Sequence, residues 1–167
     1  FYFSTIEVLE DKVMIRRATL NDIQDINKLL YQVQEVHHQG RPDLFIGGTK
    51  KYNDEELTQI IQSEKTPIFV ATDDQDKVIG YAFCIHEQVQ SSTLAPVKTL
   101  YIDDLCVDQN TRGQHIGTSL YNYVVKFAKE KGYDRVTLNV WSLNESAMKF
   151  YEKCGLTPYK VGMEQKL

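Results

Sequence analysis

A polar turn that leads into a predicted helix holds the first residues whose types suit chemistry. It reads Arg112-Gly113-Gln114-His115-Ile116-Gly117, and apolar residues at helical spacing follow. The first N–H groups of a helix lack intrahelical acceptors and carry partial positive charge, so such an end attracts phosphate. The two glycines leave room for a bulky pyrophosphate, but they would equally serve a tight turn and close helix packing, so both interpretations stay open.

The same stretch lacks two common nucleotide-binding patterns. The pattern G-x-x-x-x-G-K-[ST] is missing its lysine, and the dinucleotide pattern G-x-G-x-x-G is absent. Any phosphates bound here are therefore expected to belong to something other than a magnesium nucleotide or NAD.

Hydrophobic spacing, turn residues and capping residues predict the elements around this turn. Predicted helices cover residues 21–36, 54–64, 113–131 and 144–153, and predicted strands cover residues 14–18, 68–72, 78–88, 99–107 and 135–140. Capping boxes are expected at Thr19–Asp22 and Ser142–Glu145, and the residues after Gly155 suit a final hairpin or edge strand. The order β-α-α-β-β-β-α-β-α-β predicts a mixed, mostly antiparallel α/β sheet with helices on both faces and one parallel crossover between residues 99 and 140.

Length and charge limit the classes of protein to consider. A chain of 167 residues suits one domain, expected here over residues 14–167. Residues 1–13 precede Met14 and are an extension of open origin: an upstream segment, a cloning remnant or an extra edge strand. The net charge of −4 disfavours nucleic-acid binding and mildly favours cationic small molecules, although it could merely keep the protein in solution.

Neither a membrane anchor nor a metal site is expected from the sequence. No apolar run is long enough to span a membrane, and the first residues do not resemble a signal peptide, so a cytoplasmic protein is expected. The three cysteines include no C-x-x-C pair and are expected to be reduced thiols. The four histidines show no H-x-x-x-H spacing, so no metal is expected.

Two sequence blocks carry a resemblance to a known family. YIDDLCVDQNTRGQHIGTSLYNYV, residues 101–124, resembles the central strand and pyrophosphate loop of the GNAT superfamily of N-acetyltransferases, whose motif is Gln/Arg-x-x-Gly-x-Gly/Ala. NESAMKFYEKCGL, residues 144–156, resembles the family's N-x-x-A-x-x-F-Y-x-K-x-G-F block, and MIRRATLNDIQDI resembles its opening. One departure is His115, which stands where the family has its first glycine; with a negative φ its side chain would point away, and its imidazole could also contact phosphate.

The resemblance implies a GNAT-like fold with a splayed central strand pair and direct transfer of an acetyl group from acetyl-CoA to a primary amine of a small molecule or peptide. A strand edge at Leu105 to Val107 would pair with the pantetheine arm and offer an N–H group to the oxyanion. Tyr151 matches the family's acid, which protonates the leaving thiolate. The expected cofactor-binding residues are Leu105, Cys106, Val107, Arg112, Gly113, Gln114, His115, Ile116, Gly117, Thr118 and Asn144.

The general base is less evident from the resemblance. Some family members carry a glutamate in an L-E-V segment, but this chain has Leu138-Asn139-Val140. The candidates are Asp103 and Asp104, because YIDDLCV resembles the paired acids of polyamine and diamine acetyltransferases. We assign the base to Asp103, acting through a water, while a role as paired or solvated surface acids stays open. Strand alternation directs the two side chains to opposite faces unless a bulge intervenes.

Several further interpretations follow from the resemblance and its departures. The acid pair favours a small cationic amine, with a peptide N-terminus or a lysine side chain left open. The loop after the first helix, with His37, His38, Arg41 and Asp43, is expected near the acceptor, and a homodimer is an expectation by resemblance only. Cys106 is interpreted as a buried spectator thiol, with a covalent route as the alternative. The missing glutamate and His115 also fit a non-catalytic acyl-CoA-binding module.

Overall fold

A six-stranded sheet organises the part of the chain that the structure, a computed structural model, describes: residues 7–8, 13–111, 113 and 115–167. The strands lie side by side in chain order, and only β5 and β6 run parallel. They are β1 (Glu7–Val8), β2 (Met14–Arg17), β3 (Ile68–Thr72), β4 (Val78–Gln88), β5 (Lys98–Val107) and β6 (Arg135–Leu138). The predicted mostly antiparallel mixed sheet with one parallel crossover is therefore confirmed.

Helices cover both faces of this sheet, as predicted. They are α1 (Ile23–Gly40), α2 (Asp54–Gln62), α3 (Ile116–Glu130) and α4 (Glu145–Lys153). Helices α1 and α2 bury Leu30 and Leu57 in a core with Tyr81 on one face. Helix α3 buries Leu120 in a second core with Ile102 on the other face. Among the described residues, no helix has the length and apolar composition needed to cross a membrane.

Two predicted helix ends are corrected by local contacts. Helix α1 continues to Gly40, so His37 and His38 lie in its last turn rather than in the loop. His38 Nδ1 lies 2.6 Å from the Phe45 carbonyl oxygen, and the rings of His37 and Phe45 are 4.9 Å apart, so the following loop packs back on this turn and extends it. At α4 the N-cap is Asn144, not Ser142, because its side chain accepts the Ala147 N–H at 3.1 Å.

The predicted final strand is wrong. Residues 156–167 have no strand structure, and β6 ends at Leu138 rather than at residue 140. Side-chain ion pairs hold this C-terminal segment against the loop after α1: Arg41 donates to Glu164 at 2.7 Å, and Lys166 Nζ lies 3.1 Å from Asp43. At the other end of the chain, Glu7 and Val8 pair with β2, as an extra edge strand would.

Candidate active site

Strands β5 and β6 separate half-way along β5. Their pairing runs from Thr99 opposite Arg135 to Ile102 opposite Leu138, whereas β5 continues to Val107. Within the described residues, the segment from Asp103 to Val107 is paired only on its β4 side. The predicted splayed strand pair is therefore present, and an extended ligand could add to the edge that it exposes.

A cleft of about 1950 Å³ opens at this separation. Its walls come from β5, β6, α3, α4 and the C-terminal segment. Ordinary ligand pockets measure roughly 300–1,000 Å³, so this cleft has room for a large ligand and a second, smaller one. Predicted site residues that line it are Asp103, Leu105, Cys106, Val107, Gly117, Asn144 and Tyr151.

A β-bulge in β5 brings the two adjacent aspartates to one face. Phe83 of β4 pairs with Asp104 and the next residue, Cys84, pairs with Ile102, so Asp103 is the extra residue. Both acids consequently bond to tyrosines that pack in the α1–α2 core: Tyr52 to Asp103 and Tyr81 to Asp104. The bulge thus removes the alternation that would otherwise separate them.

Asp103 forms an ion pair with Lys51. Its Oδ2 accepts hydrogen bonds from Lys51 Nζ at 2.6 Å and from the Tyr52 hydroxyl at 3.0 Å. Burial alone would lower the pKa of Lys51, but the hydrogen bond and charge of Asp103 reverse this and hold that pKa above its ordinary value. Asp103 is therefore the counter-ion of a charged lysine.

Asp104 has a different environment, in which a neutral hydroxyl donates to it. Its Oδ2 accepts the Tyr81 hydroxyl at 2.7 Å. Burial raises the pKa of Asp104 above its ordinary value, and the Tyr81 hydrogen bond offsets part of that rise. Burial and the neighbouring Asp104 charge also raise the pKa of Tyr81, so its hydroxyl stays a donor. A buried carboxylate with an elevated pKa takes up a proton more readily than an ordinary aspartate.

Tyr151 lies on α4 and lines the same cleft as Asp104. Burial raises the pKa of its phenol well above the ordinary value, and the charge of Asp104 adds to that rise. The hydroxyl is consequently protonated throughout the neutral range, as a proton donor must be.

The N-terminus of α3 reaches the cleft through Gly117. A Cβ built there would lie 3.4 Å from Phe150 and 3.7 Å from Val107, which is ordinary to tight contact, so α3 packs closely on α4 and β5 at this point. Ile116, the first residue of α3, is buried in the core between the helix and the sheet. Gly113 has a φ of +88°, and Thr118 lies in the first turn of α3. Arg112 and Gln114 lie outside the residues that the structure describes.

Residues 30–156 match a family model described as the acetyltransferase (GNAT) family. The chain belongs to this family. The match covers most of the chain and both sequence blocks on which the resemblance depended. The GNAT domain is accordingly an acyltransferase domain, as predicted.

Individual relatives agree with this assignment. The chain is 32% identical over 100 residues to N-acetyltransferase 8B from Homo sapiens, covering 60% of the chain and 43% of that protein. It is 35% identical over 92 residues to N-alpha-acetyltransferase 30 from Schizosaccharomyces pombe, covering 55% of the chain and 58% of that protein. A crystal structure of a mutant BH1408 protein from Bacillus halodurans is similar with a TM-score of 0.87 and 32% identity, covering 92% of the chain and 98% of that protein. The chain thus spans roughly half the length of these two curated relatives.

Sequence reasoning missed the partners of the acid pair in this GNAT domain. Lys51 and Tyr52 lie about 50 residues from Asp103 in the chain, and Tyr81 sits in a strand whose pattern indicates only a buried residue. The Tyr101 hydroxyl, which accepts from Asn139 at 3.2 Å, was also missed. Two adjacent acids in an apolar strand were the available signal, because buried carboxylates need partners.

The other expectations concern the loop after α1, the thiol of Cys106 and metal binding. His37 and Arg41 line the cleft, but Arg41 is paired with Asp43 and Glu164. The thiol of Cys106 is buried and lies 3.9 Å from the Leu29 carbonyl oxygen of α1, a contact that favours the spectator interpretation. Among the described residues, no group of three His, Cys, Asp or Glu side chains could hold a metal ion.

His115 has a backbone conformation that suits the glycine it replaces. Its φ of +59° lies in the left-handed region at the N-cap of α3, so the alternative of a negative φ is wrong. A side chain there costs on the order of 1–2 kcal/mol relative to glycine.

We expect His115→Gly to raise the free energy of unfolding by about 1 kcal/mol, measured by urea denaturation. His115→Ala is the matched control, because it removes the imidazole and keeps the Cβ in the left-handed conformation. A glycine variant less stable than the alanine variant would contradict the strain argument. Calorimetry with CoA on the wild type and on His115→Ala then shows separately whether the imidazole contributes to binding.

Proposed function

We propose that this chain transfers an acetyl group from acetyl-CoA directly to a primary amine, within a single domain of residues 14–167. The observation that carries the proposal is the exposed edge of β5 from Asp103 to Val107, which lies in one cleft with Tyr151 and Gly117. Acyl transfer from CoA requires three features in one place: a strand edge that holds the thioester, a group that donates a proton, and a helix end that binds the pyrophosphate.

The donor is proposed to lie along β5. The pantetheine arm, which is itself strand-like, pairs with the edge at Leu105 to Val107, and an N–H group of this edge polarises the thioester carbonyl. The pyrophosphate binds at the turn from Arg112 to Thr118, where the first amides of α3 lack intrahelical acceptors. Asn144 keeps its role as N-cap of α4 and also faces the cleft, so it can contact the cofactor without losing that role.

Tyr151 is proposed to protonate the leaving thiolate. An ordinary phenol has a pKa near ~10 and a thiol near ~8.5. The elevated pKa of Tyr151 keeps the proton on oxygen at first, so the phenol stabilises the departing thiolate through a hydrogen bond. Uptake of a proton by Asp104 removes one of the charges that raise this pKa and thereby favours transfer of the proton to sulfur.

Asp104 is now the favoured base, and Asp103 becomes the alternative. The Asp103 carboxylate is already occupied by hydrogen bonds from the Lys51 ammonium and the Tyr52 hydroxyl. Asp104 accepts a hydrogen bond from the neutral Tyr81 hydroxyl, and burial raises its pKa. It can therefore accept the proton that the attacking amine must lose, directly or through a water.

The acceptor is proposed to carry one primary amine beside an apolar or aromatic group. Two carboxylates beside the one ammonium of Lys51 leave an excess of one negative charge in this cluster, which favours a single ammonium over a diamine. Phe45 and Trp141 line the cleft in an edge-to-face pair 5.4 Å apart, which suits an apolar neighbour of the amine. The amine of a small molecule or the N-terminus of a peptide would both fit this description.

CoA is expected to raise the melting temperature, because a ligand that binds only the folded state stabilises it by about 2.7 kcal/mol at 100 times its Kd. Thiol release is then measured with monoamines, diamines and short peptides, and aromatic monoamines and peptides are expected to exceed diamines. No thermal shift at millimolar CoA would contradict the donor assignment. A shift without thiol release from any amine would instead favour the non-catalytic acyl-CoA-binding module.

A further inference from the structure

Lys51 places a primary amine of the protein itself inside the cleft. Its Nζ lies 2.6 Å from Asp103 Oδ2, and the neighbouring residue on β5 is Asp104, the proposed base. All three residues line the same cleft as Tyr151. An ammonium group beside these acids stands where the ammonium of an acceptor would bind.

The side chain of Lys51 can reach the proposed position of the thioester. Leu105 lies two positions after Asp103 along the strand, a distance of about 7 Å. Lysine carries its amine on a flexible four-carbon stem, and this side chain is 45% exposed, so rotation about its own bonds can move Nζ from Asp103 toward the β5 edge.

We propose that Lys51 is a site of self-acetylation, modified by this active site with acetyl-CoA when no acceptor amine is bound. The inference rests on the proposed function. The Lys51 ammonium gives one proton to Asp104, and its nitrogen attacks the thioester carbon. The N–C bond forms and the C–S bond breaks, the CoA sulfur takes the proton of Tyr151, and the second proton lost by nitrogen restores that phenol. The proton on Asp104 leaves to solvent.

The modification changes what the acid pair can bind. Acetylation removes the positive charge of Lys51 and with it the ion pair to Asp103. Asp103 and Asp104 lie on one face of β5, so the modified protein presents two uncompensated carboxylates to the cleft. Self-acetylated protein is therefore expected to bind dicationic amines more tightly than unmodified protein does.

Lys50 is a matched internal control. Its Nζ bonds to Asn27 at 2.6 Å and to Asp54 at 2.7 Å, and it does not line the cleft. The two lysines are adjacent in the chain and fall in one region of a peptide map. Nonenzymatic acetylation by acetyl-CoA in solution does not depend on the active-site groups, so it would modify Lys50 as well.

The full chain is incubated with acetyl-CoA alone, and acetylation of the two lysines is followed by tandem mass spectrometry. Lys51 is expected to be modified about ten-fold faster than Lys50, because it is held beside the reacting groups. Acetylation at position 51 should disappear in Lys51→Arg, persist in Lys50→Arg, and become slower in Tyr151→Phe. The rate per molecule should not depend on protein concentration, since donor and lysine share one molecule.

Each contrary result has a distinct meaning. Equal rates at Lys50 and Lys51, no effect of Tyr151→Phe, or a rate that rises with protein concentration would each overturn the inference. If added amines release thiol while Lys51 stays unmodified, the inference fails and the proposed function stands. If neither amines nor Lys51 accept an acetyl group, both fail together.

Discussion

Tyr151→Phe is expected to lower kcat for an accepted amine by about 100-fold or more, because general acid catalysis typically contributes about 10²–10⁴-fold. The substitution removes the phenolic proton and keeps the ring that packs edge-to-face on Phe150. The Kd for CoA measured by calorimetry should change little, since the ground state of the cofactor does not need the proton. A loss confined to kcat would identify an interaction made mainly in the transition state.

Tyr133→Phe is the matched control for this substitution. Tyr133 also lines the cleft, but its hydroxyl bonds to His86 Nδ1 at 3.1 Å and takes no part in the proposed transfer. Removing that hydroxyl should leave kcat within a factor of about two, while costing roughly the stability of one hydrogen bond. Equal losses of kcat in both variants would show that Tyr151 supports the structure of the cleft and donates no proton.

The same assignment predicts the basic side of the pH profile. Because burial raises the pKa of Tyr151, its proton is retained through the neutral and moderately basic range. The rate at saturating amine should therefore show no decline from this residue below about pH 10, the ordinary pKa of a phenol. A decline near neutral pH that disappears in Tyr151→Phe would contradict a phenol with an elevated pKa.

The parts of the fold that depend on local signals were predictable. Residues 68–72 are a short apolar run before a polar turn, and the structure has β3 at Ile68–Thr72. The long amphipathic pattern after the glycine turn became α3, which begins at Ile116. The splay of β5 from β6 had no local signal, because it depends on where a parallel pairing stops, and it was expected only from the family resemblance.

The features of the site that depend on contacts between residues far apart in the sequence were not predictable. The bulge at Asp103 exists because the register between β4 and β5 shifts there, and no pattern within β5 records that shift. The ion pair between Lys51 and Asp103 joins a loop to a strand 52 residues later. The C-terminal segment is apolar enough to suggest a strand, with Val161 and Met163, but both side chains are exposed and ion pairs hold the segment instead.

The second large effect is expected from Asp104→Asn, which should lower kcat/KM by about 100-fold, in the range of general base catalysis. The amide keeps an oxygen that can accept the Tyr81 hydroxyl, so the local packing is retained. The proton acceptor is lost, and the amine must then lose its proton to solvent. Initial rates of thiol release at sub-saturating amine measure this ratio.

Asp103→Asn separates the two carboxylates. If Asp104 is the base, this variant should lose less than about ten-fold in kcat/KM and should keep the acid limb of the pH profile. In the wild type that limb should lie above about pH 4, the ordinary pKa of aspartate, because burial raises the pKa of Asp104. If Asp103→Asn instead shows the larger loss in kcat/KM and its acid limb disappears, Asp103 is the base.

Stability gives an independent measure of the same carboxylate. The folded protein holds the proton of Asp104 more tightly than the unfolded chain does, because burial raises the pKa in the folded state only. The stability that the protonated form contributes is therefore present below the ordinary aspartate pKa and is lost as the pH rises through the elevated one. Asn at this position stays neutral at every pH, so Asp104→Asn should unfold at a higher temperature than the wild type at neutral pH, with a difference that shrinks on acidification. A variant that is less stable at neutral pH would mean that the ionised carboxylate is stabilised where it lies, and a stabilised carboxylate would be a poor base.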